Sequence, residues 1–210
     1  PILVINGDGL LNLDLRPLFE RMESSRDLIS LALLPHLDPH AWSRVVLGDD
    51  QRVAQIIAAG TPEPGEVPFL YPGVMLVSHE ALNRLEAQPV GVPEHLWGPA
   101  LAEGRLGGVP VSGHWREVGT PSGYLEAVLG RLNGDAVIHP SAVVDPSAAI
   151  GSALIGRDAR IEAGAVVGAS VVAEGARVAE GARVLRSVLL GEASAAAGEN
   201  VIDEFRAQSA

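Results

Sequence analysis

The chain has 210 residues, enough for one large domain or two small ones. Its formal net charge is −11, with fifteen arginines and no lysine, which argues against binding of nucleic acid through the overall electrostatic field. The absence of cysteine excludes disulfides, a thiol nucleophile and a thiolate metal site. No apolar run reaches the length of a membrane span and no signal peptide is visible, so we expect a cytoplasmic protein that binds no membrane.

Residues 1–134 show the alternation of strands and helices that is typical of an α/β fold. Ile2–Ile5 is a short apolar run of the kind that is covered on both faces, and further strands are predicted at 27–34 and 69–77. One helix is predicted over 15–24. Another should begin at Thr120-Pro121, since a capping residue followed by proline is a strong start signal, and end at Asn133-Gly134.

Beyond residue 134 the pattern changes to a repeat with a period near six. Neither a helix nor a hairpin produces this period, whereas a hexapeptide repeat forms a parallel β-helix, which we expect to be left-handed, with one short strand per repeat. Nine repeats predict about three coils over 135–192, and residues 193–210 lose the pattern, which indicates a terminal tail. The aliphatic residues predicted to point inward are Ile138, Val144, Ile150, Ile155, Ile161, Val167, Val172, Val178 and Val184.

Two segments could carry chemistry. Asp8 follows the first predicted strand, and ligand sites in open α/β sheets lie beyond the carboxyl ends of strands. Residues 114–121 place an aromatic side chain and a charge pair just before a helix start. Taken singly, each segment also fits a structural role, as a turn aspartate and as a helix-entry loop with a buried tryptophan.

Together these segments resemble the sugar-1-phosphate nucleotidyltransferase (NDP-sugar pyrophosphorylase) family, in the manner of its mannose-1-phosphate guanylyltransferase members. The resemblance covers nearly the whole chain in the right order. It is carried by the strand end Asn6-Gly7-Asp8, by the strands at 31–35 and 72–77, by the tryptophan-x-acid-x-glycine-threonine-proline segment at 115–121 with its continuation at 124–127, and by the repeat opening at 138–142.

The resemblance implies a partial Rossmann-like nucleotidyltransferase sheet over 1–134, followed by the β-helix. It also implies a reaction in which a sugar 1-phosphate, mannose or glucose 1-phosphate, attacks a nucleoside triphosphate and releases pyrophosphate, giving a product such as GDP-mannose. Asp8 and Glu117 would bind Mg²⁺, and Gly73 and Trp115 would line the sugar side. No catalytic residue beyond the metal ligands is implied, because such a reaction depends on positioning and on neutralising phosphate charge.

Three departures from the family pattern bear on activity. The glycine-rich phosphate loop is absent from these residues, and the expected glutamate-lysine-proline segment is replaced by the uncharged stretch 53–59. Glu117 stands in place of the usual aspartate, and its longer side chain shifts the carboxylate, although magnesium tolerates little misplacement. We therefore expect either a truncated enzyme or a degenerate relative, inactive as this chain alone.

An alternative hypothesis is a non-catalytic assembly or regulatory protein that uses the β-helix for oligomerisation. A homo-oligomer is expected in either case, because a short β-helix has open strand edges. An acyltransferase is disfavoured, because the sole histidine of the repeats, His139, lies in the first of them.

Overall fold

The computed structural model describes residues 1–86, 89 and 91–207. The chain separates into two compact units, Pro1–Trp115 and Arg116–Ala210. The sequence analysis instead divides the chain after residue 134, and the difference is the helix at 121–132, which belongs to the second unit. Within the described residues, no helix has both the length and the apolar content that crossing a bilayer would require.

The described part of the first unit consists mainly of strands, connected by short helices. In chain order its elements are β1 (Ile2–Ile5), β2 (Gly9–Leu13), α1 (Arg16–Ser24), β3 (Ile29–Pro35), β4 (Arg44–Leu47), β5 (Val53–Ile57), β6 (Phe69–Leu70), β7 (Val74–Val77), α2 (His79–Leu82), a π-helical turn at Pro93–Trp97, α3 (Gly98–Ala102), β8 (Leu106–Pro110) and β9 (Gly113–Glu117), which carries the chain into the second unit.

A seven-stranded sheet forms the centre of the first unit. Its order is β1-β7-β3-β6-β4-β5, with β8 beside β3, while β2 and β9 form a separate two-stranded sheet. In this sheet β3 and β8 pair in parallel, and the other described pairs of neighbouring strands are antiparallel. The predicted Rossmann-like sheet is therefore not confirmed. The short β4–β5 connection is one reason, because parallel neighbours need a long crossover and a hairpin does not.

A buried ion pair ties α1 to the sheet. Leu18 is fully buried against the sheet on one side of α1. From the same helix, the Nε of Arg21 lies 2.7 Å from Oδ2 of Asp27, whose side chain is 0% exposed. The hydroxyl of Ser30 donates to the same carboxylate oxygen at 3.3 Å. Helix and sheet are thus joined by a charge pair as well as by apolar contact.

Helix α4 (Pro121–Leu132) begins and ends where the sequence predicts. The Oγ1 of Thr120 accepts a hydrogen bond from the backbone N–H of Gly123 at 3.0 Å, which caps the first turn. At the other end Asn133 adopts the left-handed conformation, with φ of 50°. The helix packs on a β-solenoid within the second unit, where it contacts the strands Ala153–Ile155 and Ser170–Val172.

The solenoid has about four turns, built from three parallel sheets. Each strand lies opposite the strand 17 residues later, as Ala136 lies opposite Ala153 and Ala153 opposite Ser170. One turn therefore holds two six-residue repeats and one five-residue repeat. The strands are β10 (Ala136–Ile138), β11 (Val143–Val144), β12 (Ala149–Ile150), β13 (Ala153–Ile155), β14 (Arg160–Ile161), β15 (Val166–Gly168), β16 (Ser170–Val172), β17 (Arg177–Val178), β18 (Arg183–Leu185), β19 (Val188–Leu190), β20 (Ser194–Ala195), β21 (Asn200–Ile202) and β22 (Phe205–Ala207).

The fourth turn corrects the predicted count of three coils. Strands β20 to β22 occupy 194–207, where the sequence analysis predicts a tail, and residues 208–210 lie outside the described part. The inward position of β20 is the small residue Ala195, which interrupts the aliphatic pattern, although Leu189 before it and Val201 after it are fully buried. In the strand that follows this turn, Arg206 lies opposite Leu189. The guanidinium of Arg206 binds Glu199 and Glu204 at 2.8 and 2.9 Å, so a charged cluster forms in the last turn. The handedness of the solenoid stays a prediction.

The predicted inward residues are buried in the inner turns of the solenoid and partly exposed in its first turn. The six from Ile155 to Val184 are at most 2% exposed, and Val144 and Ile150 are half-buried. Ile138 lies opposite the fully buried Ile155, in the inward register, yet it is 44% exposed, so its burial in the core is not confirmed. The reason is that β10 belongs to the first turn and pairs on one side with β13, with no other pairing strand in the described residues.

Candidate functional site at the carboxyl edge of the first sheet

The carboxyl ends of β1, β3 and β8 meet at one edge of the sheet in the first unit. Strand β8 runs parallel to β3, and both β1 and β3 run antiparallel to the β7 that lies between them. This edge therefore gathers the loops that follow the three strands, together with the start of β7. Open sheets place ligand sites at such an edge.

Asp8 lies at this edge, in the exposed turn between β1 and β2. Its position beyond a strand agrees with the sequence argument. No group of three or more histidine and acidic side chains that could hold a metal ion is found among the described residues. Binding of Mg²⁺ by Asp8 therefore stays a prediction.

Gly73 lies at the same edge, directly before β7. Its carbonyl accepts a hydrogen bond from the backbone N–H of Asn6 at 2.8 Å. Gly73 has φ of 82°, and a side chain there would place its Cβ 2.7 Å from the Cβ of Asn6. Glycine is therefore required for the loop after β1 to approach β7. The predicted contact of Gly73 with a sugar is a separate matter and stays a prediction.

Glu117 ends β9 and shapes the entry to α4. Its Oε1 accepts a hydrogen bond from the backbone N–H of Gly119 at 2.8 Å. This bond occupies one carboxylate oxygen, so the other keeps its lone pairs for a cation, and hard oxygen donors are the ligands that Mg²⁺ prefers. Glu117 belongs to the second unit and Asp8 to the first. Their predicted approach to share one ion stays a prediction.

Trp115 lines a cleft at the carboxyl edge, within the first unit. The cleft has a volume of about 460 Å³. Trp115 meets Trp42 edge to face, with ring centroids 5.5 Å apart and planes inclined at 84°. The two indoles therefore form perpendicular walls. The lining residues are Leu34, Pro35, His36, Leu37, Asp38, Trp42, Leu70, Gly113, His114 and Trp115.

Three polar side chains line the cleft beside the aromatic walls. Nε2 of His36 lies 3.2 Å from the carbonyl oxygen of Ser43, and since a carbonyl can only accept, Nε2 carries the proton of that bond. Nδ1 of His36 is buried and has no hydrogen-bond partner among the described residues. Asp38 accepts from the backbone N–H of Ala41 at 3.3 Å through Oδ1. The exposed His114 completes the set.

Sequence reasoning identified Trp115 and missed its partners Trp42, His36 and Asp38. All three come from the loop after β3, in which no repeating pattern draws attention to them. One signal was present in the sequence, because the loop directly follows a largely apolar strand and holds a tryptophan. A large aromatic residue in a loop beyond a strand end favours a ligand cleft as much as a core contact.

No protein-family model matches the chain. Among curated proteins, the chain is 26% identical over 171 residues to a mannose-1-phosphate guanylyltransferase of Mycobacterium tuberculosis. The match covers 74% of this chain and 47% of that protein, so the chain spans about half the length of this curated relative. This similarity and the β-solenoid together fit the sugar nucleotidyltransferase family, and they support a nucleotidyltransferase at the level of that family.

Proposed function

We propose that the chain provides the sugar-binding part of an enzyme that transfers a nucleotidyl group to a sugar 1-phosphate, with mannose or glucose 1-phosphate as the acceptor. The observation that carries the proposal is the cleft at the carboxyl edge, which is lined by Trp115, the residue that the family resemblance assigns to the sugar. The similarity to a mannose-1-phosphate guanylyltransferase supports the same reaction.

In the proposed reaction an oxygen of the sugar phosphate attacks the α-phosphorus of the triphosphate. One P–O bond forms, the bond between the α-phosphorus and its bridging oxygen breaks, and pyrophosphate leaves. A divalent ion held by Asp8 and Glu117 would neutralise phosphate charge when bound. The contribution of the cleft is to hold the sugar in one orientation, because positioning accounts for much of the rate in such reactions.

Binding of sugar phosphates tests this proposal directly. The chain has three tryptophans, and two of them line the cleft, so their fluorescence should report binding. We expect mannose 1-phosphate or glucose 1-phosphate to change the fluorescence in a saturable way, and Trp115→Ala to abolish the change. If neither sugar phosphate binds at millimolar concentration, the proposal fails.

Turnover is a separate test. These 210 residues hold no lysine and no glycine-rich, arginine-containing phosphate loop. We therefore expect the 210 residues alone to release no pyrophosphate when supplied with Mg²⁺, a sugar 1-phosphate and any of the common nucleoside triphosphates. Robust release would support the transferase and would overturn the expectation that the chain alone is inactive.

The metal ligands can be tested by titration with Mn²⁺, whose electron paramagnetic resonance signal weakens on binding. We expect one site that Asp8→Asn and Glu117→Gln each weaken, since both would contribute a carboxylate to the same ion. Glu126→Gln is a matched control, because Glu126 is 72% exposed and pairs with Arg116 at 3.6 Å. Equal binding by all three variants would remove both residues from the site.

A second candidate function, a non-catalytic assembly protein, is favoured by the first turn of the solenoid. Val137, Ile138 and Val143 are 50%, 44% and 62% exposed, and their strands have a free edge in the described residues. Apolar side chains at a free strand edge favour association. We expect self-association that Val143→Asp weakens, measured by light scattering. A clean monomer at high concentration would count against this function.

A further inference from the structure

A groove beside α4 in the second unit has no part in the proposed reaction. We propose that this groove binds an amphipathic helix of a partner protein, with the apolar face of that helix against the solenoid and basic side chains along its flanks. Every residue that lines the groove belongs to the second unit, so a failure of this proposal would leave the proposed sugar cleft of the first unit untouched.

The groove lies between α4 and the last strands of the sheet on which α4 packs. The main contacts of α4 are with β13 and β16. Leu125 and Leu129 line one cavity together with Val188, which begins β19. At the start of the helix, Thr120 lines a second cavity together with Leu190, which ends β19. The helix therefore runs antiparallel to β19, with the groove along its side.

The floor of the groove is the outward face of β19 and β22, the last two strands of that sheet. Leu189 points into the core, so its neighbours Val188 and Leu190 face outward, and Phe205 lies opposite Val188. Val188 is 1% exposed, whereas Phe205 is 44% exposed and borders both cavities. An exposed aromatic side chain beside open cavities is typical of the core of a protein interface.

The dimensions of the groove suit a helix. Neighbouring strands lie about 4.8 Å apart, so β19 and β22 provide a strip about 10 Å wide, and packed helices lie about 8–10 Å apart. The two cavities have volumes of about 550 and 400 Å³ and extend along α4 from Thr120 to Leu129. This stretch corresponds to about 14 Å of helix, or about two and a half turns. A short helix can therefore lie beside α4 in the way that α4 lies on β13 and β16.

The charge of the groove indicates the chemistry of the partner. Among the described residues, the lining of the larger cavity carries three carboxylates, those of Glu126, Asp203 and Glu204, and one guanidinium, that of Arg186. Asp203 neutralises Arg186 through two hydrogen bonds of 2.6 and 2.7 Å. Glu126 on the helix and Glu204 on the solenoid then leave an acidic group on each wall.

Neither of these two carboxylates is fully neutralised. Arg206 binds Glu204 at 2.9 Å and Glu199 at 2.8 Å, so this cluster of three side chains keeps one negative charge. Glu126 is 72% exposed and lies 3.6 Å from Arg116, a loose surface pair of the kind that contributes little. Basic side chains on both flanks of a partner helix would therefore meet opposite charge. A second copy of this chain would instead present the acidic face of α4, which disfavours pairing of groove with groove.

Designed peptides test the proposal, with the fluorescence anisotropy of a label on the peptide as the measure of binding. The first probe is a helical leucine–lysine peptide with its leucines on one face. The second keeps the leucine face and carries glutamate in place of lysine, and the third is the leucine–lysine peptide in scrambled order. We expect the first peptide to bind about tenfold more tightly than the other two, because it alone combines the apolar face with the complementary charge.

Variants of Phe205 test the floor of the groove. Phe205→Ser should weaken binding of the leucine–lysine peptide by about tenfold, because a large apolar contact is lost, whereas Phe205→Leu should keep most of the affinity. Phe19→Ser is the matched control, because Phe19 is 42% exposed and lies on α1 of the first unit. Retained binding by Phe205→Leu, with an unchanged circular dichroism spectrum of both variants, distinguishes a lost contact from a misfolded last turn.

Variants of charge test the chemistry of the partner. Glu126→Lys should weaken the leucine–lysine peptide by about threefold and strengthen the leucine–glutamate peptide by a similar factor. Glu174→Lys is the matched control, because Glu174 is 69% exposed, lies 3.9 Å from Arg157 and is outside the lining of both cavities. Equal effects of the two variants would mean that the net charge of the chain attracts the peptide, and the proposal would fail.

Three other outcomes would overturn the proposal. Equal binding of the scrambled peptide would exclude an ordered helix in the groove. Self-association of the wild type that Phe205→Ser abolishes would identify the occupant as a second copy of this chain. Binding to phosphatidylcholine vesicles that depends on Phe205 would replace the partner helix by a lipid surface.

Discussion

Replacing Arg21 by alanine should destabilise the first unit by about 3–5 kcal/mol, because the change leaves a buried carboxylate without its partner. The side chain of Asp27 is 0% exposed, and that of Arg21 is 16% exposed. Arg21 donates to both oxygens of Asp27, at 2.7 and 3.3 Å. After the substitution, the hydroxyl of Ser30 at 3.3 Å is the remaining side-chain donor among the described contacts.

Urea unfolding followed by tryptophan fluorescence measures this loss in the first unit alone. All three tryptophans of the chain, Trp42, Trp97 and Trp115, lie in that unit. With a typical slope of about 2 kcal/mol per molar urea, the midpoint should fall by about 2 M.

Two further variants separate a buried pair from an exposed one. Arg16→Ala should hardly move the midpoint, because Arg16 is 85% exposed although its pair with Asp14 is equally short, at 2.7 Å. The double variant Arg21→Met/Asp27→Leu should recover most of the loss, since no charge is then left buried. If Arg21→Ala costs no more than Arg16→Ala, the reasoning is refuted.

Three other predictions concern the solenoid and the surface. Ile161→Ala should lower the free energy of unfolding by about 2–5 kcal/mol, measured by thermal unfolding, because the Ile161 side chain is 2% exposed. Ile138→Ala should cost much less, because Ile138 is 44% exposed, and equal losses would contradict the burial argument. Ala169→Gly should raise the unfolding temperature slightly, because Ala169 has φ of 47°, a conformation in which its Cβ is strained. A lowered unfolding temperature would count against that strain. The guanidinium of Arg105, followed by that of Arg84, lowers the pKa of Glu80 from 4.5 to about 2. The contribution of Glu80 to stability is therefore complete above about pH 4.5 and is lost as the pH falls through about 2. Glu80→Gln should therefore flatten the decline of the urea midpoint between about pH 5 and about pH 2. An unchanged dependence of the midpoint on pH would exclude this role.

Local patterns predicted local structure well in this chain. The start of α4 at Thr120 and its end at Asn133 follow from side-chain and backbone preferences of single residues. The solenoid follows from aliphatic residues at a spacing near six, and the strand register shows that each turn holds 17 residues. The sequence prediction stops one turn early because the small Ala195 interrupts the aliphatic pattern, although the buried Val201 continues it.

Features that depend on distant pairing could not be predicted in the same way. Strand β1 pairs with β7, which begins at Val74, and nothing in either strand specifies an antiparallel partner so far along the chain. The cleft has the same origin, because it brings Trp42, from the loop after β3, against Trp115 of strand β9. Gly73 was identified from a resemblance, whereas its left-handed backbone and its contact with Asn6 become visible only in the fold.

The 17-residue turn of the solenoid imposes a rule on how this region can change in length. Residues 169, 186 and 203, spaced one turn apart, all adopt positive φ, at 47°, 49° and 58°. Loss of a single residue would put every later corner out of step with the turn before it, and inward side chains would move outward. Excision of 17 consecutive residues would instead rejoin strands that already share one register. Whole-turn gain or loss is therefore the route by which relatives of this solenoid can differ in length, and the turns that carry β13 and β16, on which α4 rests, should be the last to disappear.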